Sequence, residues 1–130
     1  MKNPIIRWIV KLTAVIILLQ TLYFKFTAAE ESVYIFQTLG IEPFGRIGSG
    51  VVELIASILI LIPRTTLLGA LLGLGTMVGA IFSHIFVLGI EVQNDGGTLF
   101  ILAVVTLISC LLLVYAERNR ITELVREVFK

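Results

Sequence analysis

The chain has 130 residues, of which 58% are hydrophobic and 15% charged, with a mean hydropathy of +1.04. A chain this short cannot enclose so much apolar surface in a core of its own, whereas lipid can cover it. The formal net charge of +1 gives no basis for nucleic-acid binding, and the single cysteine, Cys110, excludes an internal disulfide and any CxxC redox or zinc motif.

A spanning helix needs about 20 mostly apolar residues. Four runs approach that length: 5–26, 47–62, 66–88 and 98–116. The first has a rival reading as a signal peptide, with Lys2 and Arg7 before it and Thr27-Ala28-Ala29 as a cleavage site. Gln20 and Lys25 fit that reading poorly, because a cleaved apolar segment is usually uninterrupted. Between the first two runs, Thr27-Ala28-Ala29-Glu30 has the capping-box pattern that opens a helix. Val33, Phe36 and Leu39 then recur at helical spacing, which predicts a short interfacial helix over 28–39; an irregular loop is the alternative. Gly40 would stop it, and Glu42-Pro43 makes a turn.

Gly45-Arg46-Ile47-Gly48-Ser49-Gly50 opens the second run without the lysine and Ser/Thr of a phosphate-binding loop, so close helix packing is the better explanation. Pro63 ends that run, and Arg64-Thr65 turn the chain into the third. There, Gly69/Gly73 and Gly75/Gly79 are spaced by four, the small-residue pattern of close membrane packing. Asn94-Asp95-Gly96-Gly97 lacks the spaced acids and closing Glu of a calcium loop, and reads as a turn that caps the fourth helix. After Ala116, Ile121, Leu124, Val125, Val128 and Phe129 form one stripe among charged residues. The tail, 117–130, is therefore an amphipathic helix, either an extension of the fourth span or a separate interfacial element.

With the amino terminus in the cytoplasm, Lys2, Arg7, Lys11, Arg64, Arg118, Arg120, Arg126 and Lys130 lie inside and only Lys25 and Arg46 outside. Such a basic excess places both termini in the cytoplasm. The short connections predict an all-α fold: a four-transmembrane-helix antiparallel bundle in a single domain, with the interfacial helix between spans one and two.

Polar residues inside a membrane are costly and usually face the bundle interior. At about 1.5 Å rise per residue, Glu53 lies roughly 9 Å into its helix, Gln20 about as far from the end of its own, and His84 roughly 6 Å from the end of its own. Lys25 is nearer the surface on a stem that bends either way. All four fall on the non-cytoplasmic side, below Gln93 and Asp95. On one reading they form a shallow outward-opening pocket in which Glu53 and His84 exchange protons with a bound quinone or similar small ligand. On the other they are a hydrogen-bonded plug, with Glu53 paired to Lys25 and His84 bonded to Gln20 or a turn carbonyl. A metal at His84, Glu53 and Asp95 lacks ligand spacing, and haem would usually want a second histidine.

The residues also carry a family resemblance. Phe24-Lys25, Gly48 followed by Glu53-Leu54, Pro63-Arg64-Thr65, and Ser83-His84 with the turn Leu88 to Gly97 resemble the DoxX-like membrane proteins over nearly the whole chain. The resemblance implies a four-helix bundle in a bacterial inner membrane. Some DoxX-like proteins are named as subunits of thiosulfate:quinone oxidoreductase; others are linked to redox stress or to assembly of other proteins. A distant, similar bundle handles quinone and thiols with paired cysteines, which a lone Cys110 does not carry over. Two functions follow as expectations. One is a ligand site formed by Gln20, Lys25, Glu53, His84, Gln93 and Asp95 that takes a quinone or similar amphipathic molecule, within a membrane redox complex. The other is a non-catalytic membrane partner or assembly factor, or a homo-oligomer, whose polar cluster is structural.

Overall fold

Asn3 starts the first helix: its side chain accepts the Ile5 N–H at 2.9 Å, and Pro4 follows at a position where a missing N–H is tolerated. In the computed structural model, which describes residues 3–90 and 96–128, α1 runs Pro4–Phe26. Next come α2 (Glu30–Thr38), α3 (Phe44–Leu61), a 3-10 turn (Pro63–Thr65) and α4 (Thr66–Ser83). A π-helical turn (His84–Leu88), α5 (Thr98–Ala116) and α6 (Asn119–Val128) complete the described chain.

Four of these segments are long and apolar enough to cross a membrane: Pro4–Phe26, Phe44–Leu61, Pro63–Leu88 and Thr98–Ala116. They agree with the expected spans to within a few residues. They pack antiparallel in a square, with α1 against α3 and α5, and α4 against the same two helices. The protein is an all-α four-span bundle, with a short helix between the first two spans and another after the last.

Two local details differ from expectation. The capping box at Thr27 is not used. Thr27 still closes α1, its hydroxyl and its N–H both donating to the Tyr23 carbonyl, and α2 begins at Glu30 after Ala29, with no side-chain cap. The third span is not α-helical throughout. At its end the Gly89 N–H reaches back five residues to the His84 carbonyl at 2.7 Å, which widens the last turn into a π turn. Gly97, at φ 84, precedes α5 in a left-handed conformation that suits glycine, as the double glycine predicts. Gln93 and Asp95 lie outside the described residues.

Leu18, Ile60, Ala70 and Leu113 centre the core. Three of the predicted close approaches between helices are present, one of them Gly50 of α3, where a Cβ would stand 2.8 Å from the Phe26 ring of α1. A Cβ on Gly69 would stand 2.6 Å from the Ile60 nitrogen and 2.7 Å from the Ala56 carbonyl oxygen, so α4 lies against the backbone of α3. Gly73 makes room for the buried Cys110 sulfur, 2.9 Å from where a Cβ would stand. Outward-facing Ile5, Ile16, Ile58, Phe86, Ile101 and Leu111 are exposed, and lipid is the solvent that suits them.

The C-terminal helix is a separate element. A turn at Glu117-Arg118 ends α5 and separates it from α6. Arg120 ties it to the opposite hairpin by donating to the Pro63 and Arg64 carbonyls, each at 3.2 Å.

Candidate functional site

The bundle is loosest at the end capped by α2 and the π turn. Gly48 on α3 and Gly75 and Gly79 on α4 stand where a Cβ would meet no atom within 4 Å. These three positions therefore correct the packing reading of their glycine patterns. Without side chains, they leave space that neighbouring helices do not fill. That space is part of a cavity of about 770 Å³, within the usual range for small-molecule sites. Its walls are mainly apolar and include Ile17, Phe36, Val52, Met77 and Leu102. Phe36 and its neighbour Ile35 come from α2, so the short helix predicted to lie on the membrane surface also walls the cavity.

One polar group on the cavity is an ion pair. Glu53, 1% exposed, accepts from the Lys25 ammonium at Oε1, 2.5 Å away, and from the Thr21 hydroxyl at Oε2, 3.1 Å away. Thr21 lies one turn before Lys25 on the same face of α1, a spacing that sequence alone displays. The Lys25 ammonium also sits 5.8 Å from the centroid of the Phe36 ring. Arg46, buried at the start of α3, pairs with Glu42 at 2.8 Å and donates to the Lys25 carbonyl, which fastens α3 to the end of α1. Together these bonds hold α1 and α3 in register beside the cavity.

His84 is the second polar group. It is 5% exposed, and Nδ1 lies 3.0 Å from the Gly89 carbonyl. A carbonyl only accepts, so Nδ1 donates, and in the neutral ring Nε2 keeps an unshared pair. The ring meets Phe100 edge-on, with centroids 5.7 Å apart. The turn carbonyl is thus the partner, as the plug reading expects, and no hydrogen bond joins His84 to Gln20 or Glu53 among the described residues.

Gln20, Lys25, Glu53 and His84 all line this one cavity. Gln20 borders it while remaining exposed. Sequence reasoning missed Thr21, the open glycines and the contribution of α2. No family model, curated protein or solved structure matches the chain.

Proposed function

We propose that this four-span protein binds a small amphipathic molecule, a quinone or a close chemical relative, in the cavity beneath α2. The observation that carries the reading is a mainly apolar cavity of about 770 Å³ bordered by a histidine whose Nδ1 is already engaged. An apolar cleft with few polar groups suits a ring with a hydrophobic tail. Nε2 of neutral His84 accepts from a quinol hydroxyl, and when protonated it donates to a quinone carbonyl. Both oxygens of Glu53 are engaged, so its part is to hold Lys25 and the helices rather than to meet the ligand first. The DoxX-like resemblance agrees with this reading and extends it to a subunit of a redox complex in a bacterial inner membrane. The basic excess at the α6 end supports an orientation with both termini in the cytoplasm, in which the cavity opens toward the other side.

The second reading, a partner or assembly factor with a structural polar cluster, is favoured by the same engaged Glu53. Mass spectrometry of the protein extracted gently from its native membrane separates the two. A co-purifying quinone that is lost in His84→Ala supports the binding site. Absence of any quinone or lipid-like molecule, with no effect of His84→Ala or Glu53→Gln on quinone binding, sinks it.

A further inference from the structure

At the opposite end of the bundle three cations gather around one carboxylate, and two of them pair with it. Glu117, 7% exposed, closes α5. Its Oε1 lies 3.4 Å from Arg7 of α1, and its Oε2 lies 3.2 Å from Arg120 of α6. Both oxygens are thereby engaged. One turn along α1 from Arg7 is Lys11, only 3% exposed, in the field of Glu117, Arg7 and Arg120. Its ammonium rests 4.5 Å from the centroid of the Trp8 ring and has no hydrogen-bond or ion-pair partner among the described residues. An aromatic face attracts a cation but fills none of its three donor positions.

Both carboxylate oxygens of Glu117 are taken by Arg7 and Arg120, while Glu123 and Glu127 line the outer groove beside Arg120 and Arg64, so it is Lys11 that stands without an acceptor among the described residues. A desolvated charge calls for a counter-charge and for acceptors. The side chains of Arg7 and Arg120 remain 34% and 45% exposed, so a ligand can reach the guanidinium groups from outside. Trp8, itself 42% exposed, marks this rim as the headgroup level where tryptophan gathers. A phosphate group fits the requirements: it carries negative charge, offers several acceptor oxygens, and matches the fork of an arginine.

We propose that Arg7, Lys11 and Arg120, arranged around Glu117, form a seat for a phosphate group, supplied in the membrane by the headgroup of an anionic lipid. This seat lies at the far end of the bundle from the cavity, so its failure and that of the ligand site are separable.

Native mass spectrometry of the full chain in neutral detergent, titrated with phosphatidylglycerol, phosphatidylcholine or inorganic phosphate, provides the test. The expected result is one retained phosphatidylglycerol per chain in clear excess over phosphatidylcholine. Lys11→Met should lower that retention about tenfold, the loss of one charge-assisted hydrogen bond, whereas Lys11→Arg keeps it. Binding of phosphatidylglycerol alone assigns the seat to a lipid headgroup; parallel binding of inorganic phosphate assigns it to the phosphate group itself, and both support the seat. Equal retention of the two lipids with no response to phosphate overturns it, as does Lys11→Met retention equal to that of the unaltered chain. Arg120→Gln, on the partly exposed α6, provides the same comparison should Lys11→Met fail to fold.

Discussion

Replacing Lys25 by Met should damage this protein more than replacing its partner. Glu53 has 2% of its side chain exposed and Lys25 has 14%. Removing the ammonium strands a desolvated carboxylate with Thr21 as its one described donor; breaking one side of such a pair costs about 3–5 kcal/mol. Glu53→Gln strands a cation instead. That cation rides on a flexible stem near the rim and keeps the Phe36 ring beside it, so a loss of about 1–2 kcal/mol is expected. Lys25→Met combined with Glu53→Met leaves no charge behind. The one proton of the Thr21 hydroxyl then goes to the Leu18 carbonyl, 2.8 Å away, so that group is not stranded either. The double variant should therefore lie within about 1.5 kcal/mol of the unaltered protein. Reversible unfolding in mixed micelles, with sodium dodecyl sulfate as denaturant and Trp8 fluorescence as the signal, gives all four stabilities. Equal losses in the two single variants, or a double variant as unstable as Lys25→Met, would show that burial of the pair does not govern this site.

The glycines of α4 should divide into two kinds. Gly69→Ala presses a methyl group onto the backbone of α3 and should cost about 1–3 kcal/mol in the same unfolding assay. Gly75→Ala meets nothing and should be neutral or gain up to about 1 kcal/mol from helix propensity. Gly79→Leu places its side chain in the cavity. It should abolish retention of a co-purified quinone while leaving the midpoint of unfolding unchanged; retention equal to that of the unaltered chain would remove the cavity from consideration. His84→Phe forfeits the bond to the Gly89 carbonyl and should cost about 1 kcal/mol, with faster hydrogen exchange at the Gly89 amide as the local readout. Orientation is checked with single cysteines in a Cys110→Ala background: Tyr34→Cys on α2 should react with an impermeant maleimide from the non-cytoplasmic side, and Ile121→Cys on α6 only from the cytoplasmic side.

The fold was legible because lipid reads hydropathy run by run. Each apolar stretch of spanning length is a helix, since a backbone in hydrocarbon must satisfy its own hydrogen bonds. The polar residues were legible for a related reason. Glu53 and Lys25 are too costly to leave facing lipid, so their meeting on one cavity follows from cost alone. The glycines were not legible in the same way. Gly69/Gly73 and Gly75/Gly79 have the same spacing, yet the first pair meets α3 and Cys110 while the second faces open space. Spacing fixes which face a residue occupies and is silent about how far away the neighbouring helix stands. Thr27 was misread because its hydroxyl has two carbonyl or amide systems within reach, the end of α1 and the start of α2, and the first one keeps it. Lys11 and Glu117 were absent from the candidate site because they lie over 100 residues apart in sequence and converge only through the packing of α1 against α5.

These contrasts also explain why the cavity lies at the α2 end. Glycine inside a helix is less stable than alanine there by about 0.5–1 kcal/mol. Gly75 and Gly79 carry that cost without a close contact that would require them, so what they supply is room. A bundle with room at one end needs other means of keeping its helices apart yet aligned. Here the Lys25–Glu53–Thr21 bonds fasten α1 to α3, Arg46 fastens α3 to the end of α1, and the His84–Gly89 bond sets the π turn. Directional bonds at the rim thus stand in for the close packing that Leu18, Ile60 and Leu113 provide deeper in the bundle. A structural polar network and an open cavity are therefore compatible in one bundle end: the first fastens the helices that wall the second.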